Sequence, residues 1–261
     1  MDQEAPVLVE HKGRIAIVRL NRPEARNAVD GPLRSLLTTT LESLGNDAAV
    51  GAIILTGNGR AFCAGGDIAQ MKARLESSPG AVAAQGWKHQ RRNTHRLVTA
   101  LATIEKPVIA AVNGAAAGLG ADLALACDTI VASRHAKFLY SYILRGLIPD
   151  GGGMYFLPRR VGLARAKQLI FTGRTVDAGE ALAIGLIDQI AEPDDLLGSA
   201  LALAEDYAAH SPIALGLAKS VLNHSFEMTL DDVLSSGAAA QGICYASDEH
   251  RASVTAFLAK A

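Results

Sequence analysis

The chain has 261 residues, of which 49% are hydrophobic and 20% charged, a balance that can bury a substantial core and excludes general disorder. Its 25 basic and 26 acidic residues leave a formal net charge of −1. No global field therefore draws it to nucleic acid or to an anionic membrane, and an anionic ligand must be met by a local patch. The three cysteines, Cys63, Cys127 and Cys244, are too widely spaced to suggest a disulfide framework or a zinc site. The acidic opening MDQEAPVLVE is unlike a signal peptide, so a cytoplasmic location is expected.

In chain order, Val7 to Leu20 reads as two strands around Lys12-Gly13, with Ile15 and Ile17 alternating against their neighbours. A loop from Asn21 to Ala28 follows. Leu33, Leu36, Leu37, Leu41 and Leu44 then recur at helical spacing after Asp30-Gly31-Pro32. Val50 to Thr56 is a continuous apolar run, as expected of a strand covered on both faces. It leads to the glycine-rich loop Ala61 to Asp67. A helical region is expected from about Ala81 to Ile104, with Leu97, Leu101 and Ile104 on one stripe.

Val108 to Val112 reads as a second buried strand. The stretch Pro107 to Cys127 is apolar enough to suggest a membrane span, but Asn113, Asp122 and three glycines interrupt it, and strand, turn and helix fit better. Gly118-Leu119-Gly120 should open a helix. Thr129 to Ala132 and Phe138 to Tyr142 read as strands, Pro149-Asp150-Gly151-Gly152-Gly153 is a third glycine cluster, and beyond Leu163 the chain is helical except near Ile187 to Ala191. Strands alternating with helices, then a helical tail, describe an α/β fold with loops gathered at strand ends. Residues 1–195 are expected to form the core and 196–261 a helical region that wraps a core or a partner.

Glycine turns after buried strands expose backbone N–H groups to a ligand, although tight turning alone would also explain them. The nucleotide-binding, G-x-S-x-G and H-E-x-x-H patterns are absent. The loops do form a recognisable set. Ala61-Phe62-Cys63-Ala64-Gly65-Gly66-Asp67-Ile68 resembles the A-F-x-A-G-x-D-[IL] loop of the crotonase, or enoyl-CoA hydratase/isomerase, superfamily. Lys106 to Gly114, with Gly118-x-Gly120 and Cys127-Asp128, resembles its second signature. Asn21-Arg22-Pro23 with Asn27-Ala28, Phe171-Thr172-Gly173, and Gly185-Leu186-Ile187 extend the likeness over nearly the whole chain.

The resemblance implies a crotonase (ClpP-like) fold of repeated ββα units, two roughly perpendicular sheets and C-terminal helices that build a homotrimer or homohexamer. It implies an acyl-CoA thioester as substrate, no separate cofactor, no metal, and neither nucleic acid nor membrane as partner. The two backbone donors that hold a thioester oxygen in this superfamily fall on Gly66 and Leu119. Arg26 falls where relatives often turn a basic residue towards CoA phosphates, and Ala64, Asp67 and Ile68 fall along the adenine and pantetheine path. Asp67 would alternatively cap the following helix, and Arg26 would alternatively be a solvated loop arginine.

Hydratases of the superfamily use two glutamates, and here Asp122 and Tyr142 occupy those positions. With one carboxylate replaced by tyrosine, Asp150 becomes the principal catalytic candidate, in a Pro-Asp-x-Gly turn shared with isomerases. One carboxylate in an apolar pocket suffices to move a proton between two carbons. Alternatively, Asp150 caps a helix. An enoyl-CoA isomerase is thus the leading expectation, with an enoyl-CoA hydratase next. A CoA-dependent dehalogenase with His95 as base, or a silent acyl-CoA-binding subunit, are minor readings.

Overall fold

The computed structural model describes residues 5–68, 72 and 79–259. Strands β1 (Val7–Lys12) and β2 (Ile15–Leu20) form the expected hairpin about Lys12-Gly13, with Val7 opposite Leu20. Four further strands extend this sheet: β3 (Ala52–Gly57), β5 (Val108–Val112), β7 (Thr129–Ser133) and β10 (Gln189–Ala191), in the order β1-β2-β3-β5-β7-β10. From β2 to β10 neighbouring strands are parallel.

Helices cover both faces, which is why these strands read as unbroken apolar runs rather than an alternating pattern. On one face Ala16, Val18, Ile53, Leu55, Val108 and Ala110 pack with Leu33, Leu37 and Leu41 of the helix Gly31–Asn46 and with Leu97 and Leu101. Asp30 caps that helix by accepting from the Leu33 amide at 2.9 Å. On the other face Ile15, Ile17, Ala52, Ile54, Ile109 and Ala111 meet Leu196, Ala200, Ala204 and Ala208 of the helix Leu196–Ala208. The core therefore runs past the expected boundary at residue 195: small side chains every fourth residue let that helix lie close against the sheet.

A second sheet is built from the three-residue strands β4 (Ala61–Cys63), β6 (Ala115–Ala117), β8 (Lys137–Leu139) and β9 (Thr175–Asp177). The chain repeats one move: β3, β5 and β7 each run in the large sheet and hand over within a few residues to β4, β6 and β8 in the small one. Phe138 to Tyr142 is thus strand only to Leu139 before it turns. The helical region before Ile104 is also broken: Pro79–His89 and His95–Thr103 flank the π-helical turn Gln90–Thr94, closed by a bond from the His95 amide to the Gln90 carbonyl.

Of the C-terminal helices Pro212–His224, Leu230–Ala246 and Asp248–Leu258, the first and the turn after it are tied to the core by polar contacts. Lys219 Nζ donates to Asp128 Oδ2 at 2.7 Å and to the Lys106 carbonyl at 3.0 Å. Arg159 stacks on Tyr155, 3.4 Å from the ring centre, and pairs with Glu227. No helix among the described residues is long and apolar enough to cross a membrane.

Candidate active site

The strands β4 and β6 are parallel neighbours, so the glycine loops that follow them leave the small sheet at the same end. The first is stitched to the stretch before the helix Gly31–Asn46: the Ala64 amide donates to the Arg26 carbonyl at 2.9 Å, and Val29 exchanges bonds with Gly65 and Asp67 at 2.7 and 3.2 Å. Asn27, fully buried at φ 57°, holds the inner side through bonds from Nδ2 to the Asn58 and Ala61 carbonyls. The Arg22 guanidinium holds the outer side, with its Nη1 reaching the Ala28 carbonyl at 2.7 Å, Asp67 at 3.0 Å and Asp30 at 3.1 Å.

The two loops touch. Gly65 sits at φ 96°, where a side chain is strained, and a Cβ there would lie 2.7 Å from the Ala117 carbonyl oxygen and 3.4 Å from the Leu119 amide nitrogen. Gly118 turns the chain so that Leu119 is the first residue of the helix Leu119–Leu125. Neither the Gly66 nor the Leu119 amide donates to another group among the described residues. Both residues line one pocket, together with Val29, Arg34, Asp67, Gln90, Thr94, Tyr142, Leu147, Ile148 and Asp150.

Asp150 therefore lies in the same pocket as the two free amides. It does not cap a helix: the helix Gly153–Val161 is preceded by Gly152 at φ 99° with no side-chain cap. The Asp150 carboxylate instead accepts from Gln90 Nε2, whose amide oxygen in turn accepts from Thr94 Oγ1 at 2.7 Å. Gln90 carries no sequence signal that would single it out, because its contact with Asp150 lies 60 positions away, and the Asn21-Arg22-Pro23 likeness gives no hint that Arg22 reaches Asp67, 45 positions away.

Asp122 and Tyr142 occupy a second layer. Tyr142 lines the pocket and donates its hydroxyl to Asp122 Oδ2 at 2.7 Å, while Asp122 is fully buried behind it. The glycine cluster packs against this carboxylate so closely that a Cβ at Gly153 would lie 2.3 Å from Asp122 Oδ1. The Gly151 and Gly153 amides favour the charged carboxylate without reaching good hydrogen-bond geometry, and Oδ1 has no bonded partner. Burial is the main cause that pushes the Asp122 carboxyl up to about 7, reinforced by the charge of Asp150 and opposed by the Tyr142 hydrogen bond. Burial and the adjacent Asp122 raise the Tyr142 and Tyr140 phenols far above their ordinary range.

The residues expected along a CoA path divide. Arg26, Ala64 and Ile68 are exposed beside Gly66 and Asp67, and Arg26 itself adopts a left-handed backbone at φ 52°. Asp67 is engaged by Arg22. Most of the segment that Asp67 would cap lies outside the described residues. Cys63 is fully buried, and its thiol is pushed up to about 12 by that burial, so it acts as packing. His95 lies in a separate surface depression with Glu42, Arg91, Arg96 and Thr99, which removes it as a base for this pocket. No group of three or more His, Cys, Asp or Glu side chains among the described residues is placed to hold a metal ion.

Comparison with known proteins gives one consistent answer. The sequence model for enoyl-CoA hydratase/isomerase matches residues 10–261. A short-chain-enoyl-CoA hydratase of Clostridium acetobutylicum is 36% identical over 255 residues, covering 97% of this chain and 95% of that protein. A 1,2-epoxyphenylacetyl-CoA isomerase of Escherichia coli is 37% identical over 246 residues, covering 94% and 92%. Among solved structures, an enoyl-CoA hydratase/isomerase from Cupriavidus metallidurans superposes with a TM-score of 0.91 at 34% identity, covering 100% of this chain and 96% of that one.

Proposed function

Because the chain belongs to the enoyl-CoA hydratase/isomerase family, we propose that its pocket binds an enoyl-CoA and shifts the double bond by proton transfer through an enolate, with Asp150 as the base. One observation carries this reading: Asp150 shares the pocket wall with the unengaged Gly66 and Leu119 amides, whereas Asp122 is sealed behind Tyr142. The thioester oxygen would accept from both amides. Asp150 removes a proton from C2 of a 3-enoyl thioester, negative charge spreads onto the thioester oxygen, and the same carboxyl returns the proton at C4 to leave a 2-enoyl thioester. Each such backbone donor typically contributes about 10²–10³ in rate, so the two amides stabilise the enolate without a metal or redox cofactor.

In this reading Arg26 meets the CoA phosphates, and Ala64, Asp67 and Ile68 border the adenine and pantetheine path; the exposure of Arg26, Ala64 and Ile68 supports it. A homotrimer or homohexamer is supported by the exposed apolar side chains of the C-terminal region, among them Leu222, Phe226, Leu230, Leu234 and Phe257. The chain works in the cytoplasm. A second reading, hydration of a 2-enoyl-CoA, is favoured by the Tyr142–Asp122 bond, which gives the pocket wall a hydroxyl backed by a carboxyl able to take up a proton near neutral pH.

The decisive experiment incubates the protein and Asp150→Asn with 3-enoyl-CoA and 2-enoyl-CoA in H₂¹⁸O and analyses products by mass spectrometry. Bond migration without ¹⁸O, lost in the variant, is the expected result. A 3-hydroxyacyl-CoA carrying ¹⁸O that still forms without Asp150 would move the chemistry to Tyr142 and Asp122.

A further inference from the structure

We propose that Gln90, held by Thr94, is a positioning residue that fixes the Asp150 carboxylate for proton transfer, and that the π-helical turn Gln90–Thr94 exists to place it there. The inference rests on Asp150 being the base.

Three observations combine. Gln90 Nε2 donates to Asp150 Oδ2 across 60 positions of sequence. The Gln90 amide has one correct orientation: an ionised carboxylate only accepts, so the nitrogen must face Asp150, and the amide oxygen is left to accept from Thr94 Oγ1 at 2.7 Å. Thr94 is itself only 4% exposed, so its hydroxyl is held largely within the protein. The result is a short chain from hydroxyl to amide to carboxylate that occupies Oδ2.

The turn explains why this chain of bonds is possible. It lies between the helices Pro79–His89 and His95–Thr103, and its closing bond runs from the His95 amide to the carbonyl of residue 90, one residue longer than in an α-helix. The extra residue rotates the preceding segment about the axis, and such turns recur at functional sites. Gln90 and Thr94 border the pocket, while the neighbouring Arg91 and His95 point to the separate surface depression beside Glu42. An uninterrupted helix would present a different residue to Asp150.

A base that moves a proton from one carbon to another must reach both with the same carboxyl group, and an error of about 1 Å in its placement costs roughly a hundredfold in rate. With Oδ2 tied to Gln90, the other oxygen is the one directed at substrate.

The test uses shape-preserving variants of the full chain, with kcat and KM measured for the double-bond shift of 3-enoyl-CoA and thermal melts recorded for each. Gln90→Met keeps the side-chain length and removes both amide atoms; kcat should fall roughly tenfold to a hundredfold with KM within about twofold. Thr94→Val should give a smaller fall in kcat, Thr94→Ser should restore it, and Gln90→Met with Thr94→Val together should be no worse than Gln90→Met alone, since the two act through one contact. Unchanged kcat in Gln90→Met, a loss confined to KM, or strictly additive losses in the pair would overturn the proposal. Asp150→Asn is assayed alongside: if it retains activity, the base has been misassigned, and if it is inactive while Gln90→Met keeps the parental kcat, Gln90 alone has been.

Discussion

The Tyr142 hydroxyl donates to Asp122 Oδ2 at 2.7 Å, and that bond sets Asp122 apart from Asp150, the aspartate that the sequence ranks first. Tyr142 stands on the pocket wall; Asp122 stands behind it with no exposed surface. Asp150 lines the same pocket as Tyr142. The pair still matters, because a buried carboxylate with one unbonded oxygen is costly to keep charged.

Asp122 should make the stability of the protein depend on pH. Its carboxyl is raised in the folded state from 3.8 to about 7, so the folded chain holds the proton over a range in which the unfolded chain has released it. The stabilisation is complete below about pH 4 and is lost as pH rises towards 7, by on the order of 4 kcal/mol for a shift of about three units. Asp122→Asn should remove this slope, so that urea melts at about pH 5 and pH 8 nearly coincide and the variant exceeds the parent at the higher pH. A variant that keeps the parent's slope would place the titrating group elsewhere.

Leu119→Pro should separate the role of a backbone donor from that of a side chain. Leu119 is the first residue of its helix, a position where proline is tolerated because the N–H has no helical partner. We expect near-parental helicity by circular dichroism and a fall in kcat of about 10²–10³. Leu119→Ala should retain most of the activity, since it keeps the amide.

Gly65→Ala should damage both stability and activity. The added methyl meets the Ala117 carbonyl oxygen at 2.7 Å on a backbone at φ 96°, so the two glycine loops must part. Overpacking of this kind costs about 1–3 kcal/mol. Denaturant melts would read that cost, and kcat should fall with it, because the Gly66 and Leu119 amides no longer converge.

Arg22→Ala should act chiefly on binding. Its guanidinium ties Asp30, Asp67 and the Ala28 carbonyl together on the outer side of the loop, next to the exposed Arg26. A loss of about 1 kcal/mol of CoA affinity would appear as a roughly fivefold rise in KM, with kcat nearly unchanged, in a steady-state assay. An equal loss in kcat would instead place Arg22 among the groups that shape the reacting end.

The sequence by itself determined the layers and the two loops. Long apolar runs at Val50 to Thr56 and Val108 to Val112 have no other home than a doubly covered sheet, and the signature around Gly65-Gly66 and Gly118-Leu119 named the family before any coordinate was needed. Three-residue strands such as Thr175–Asp177 were not legible, because so short a stretch carries no periodicity. Nor was the true extent of the core, since an alanine-rich helix such as Leu196–Ala208 reads the same whether it packs on its own sheet or on another subunit. Only the tertiary structure shows how differently the two carboxylates are set. Asp122 and Asp150 are both acids beside glycines in sequence, and what separates them is water: one is enclosed by Tyr142 and the Gly151–Gly153 turn, while the other opens to the pocket under the hand of Gln90. Burial and long-range contact are properties of packing, and no spacing along the chain encodes them.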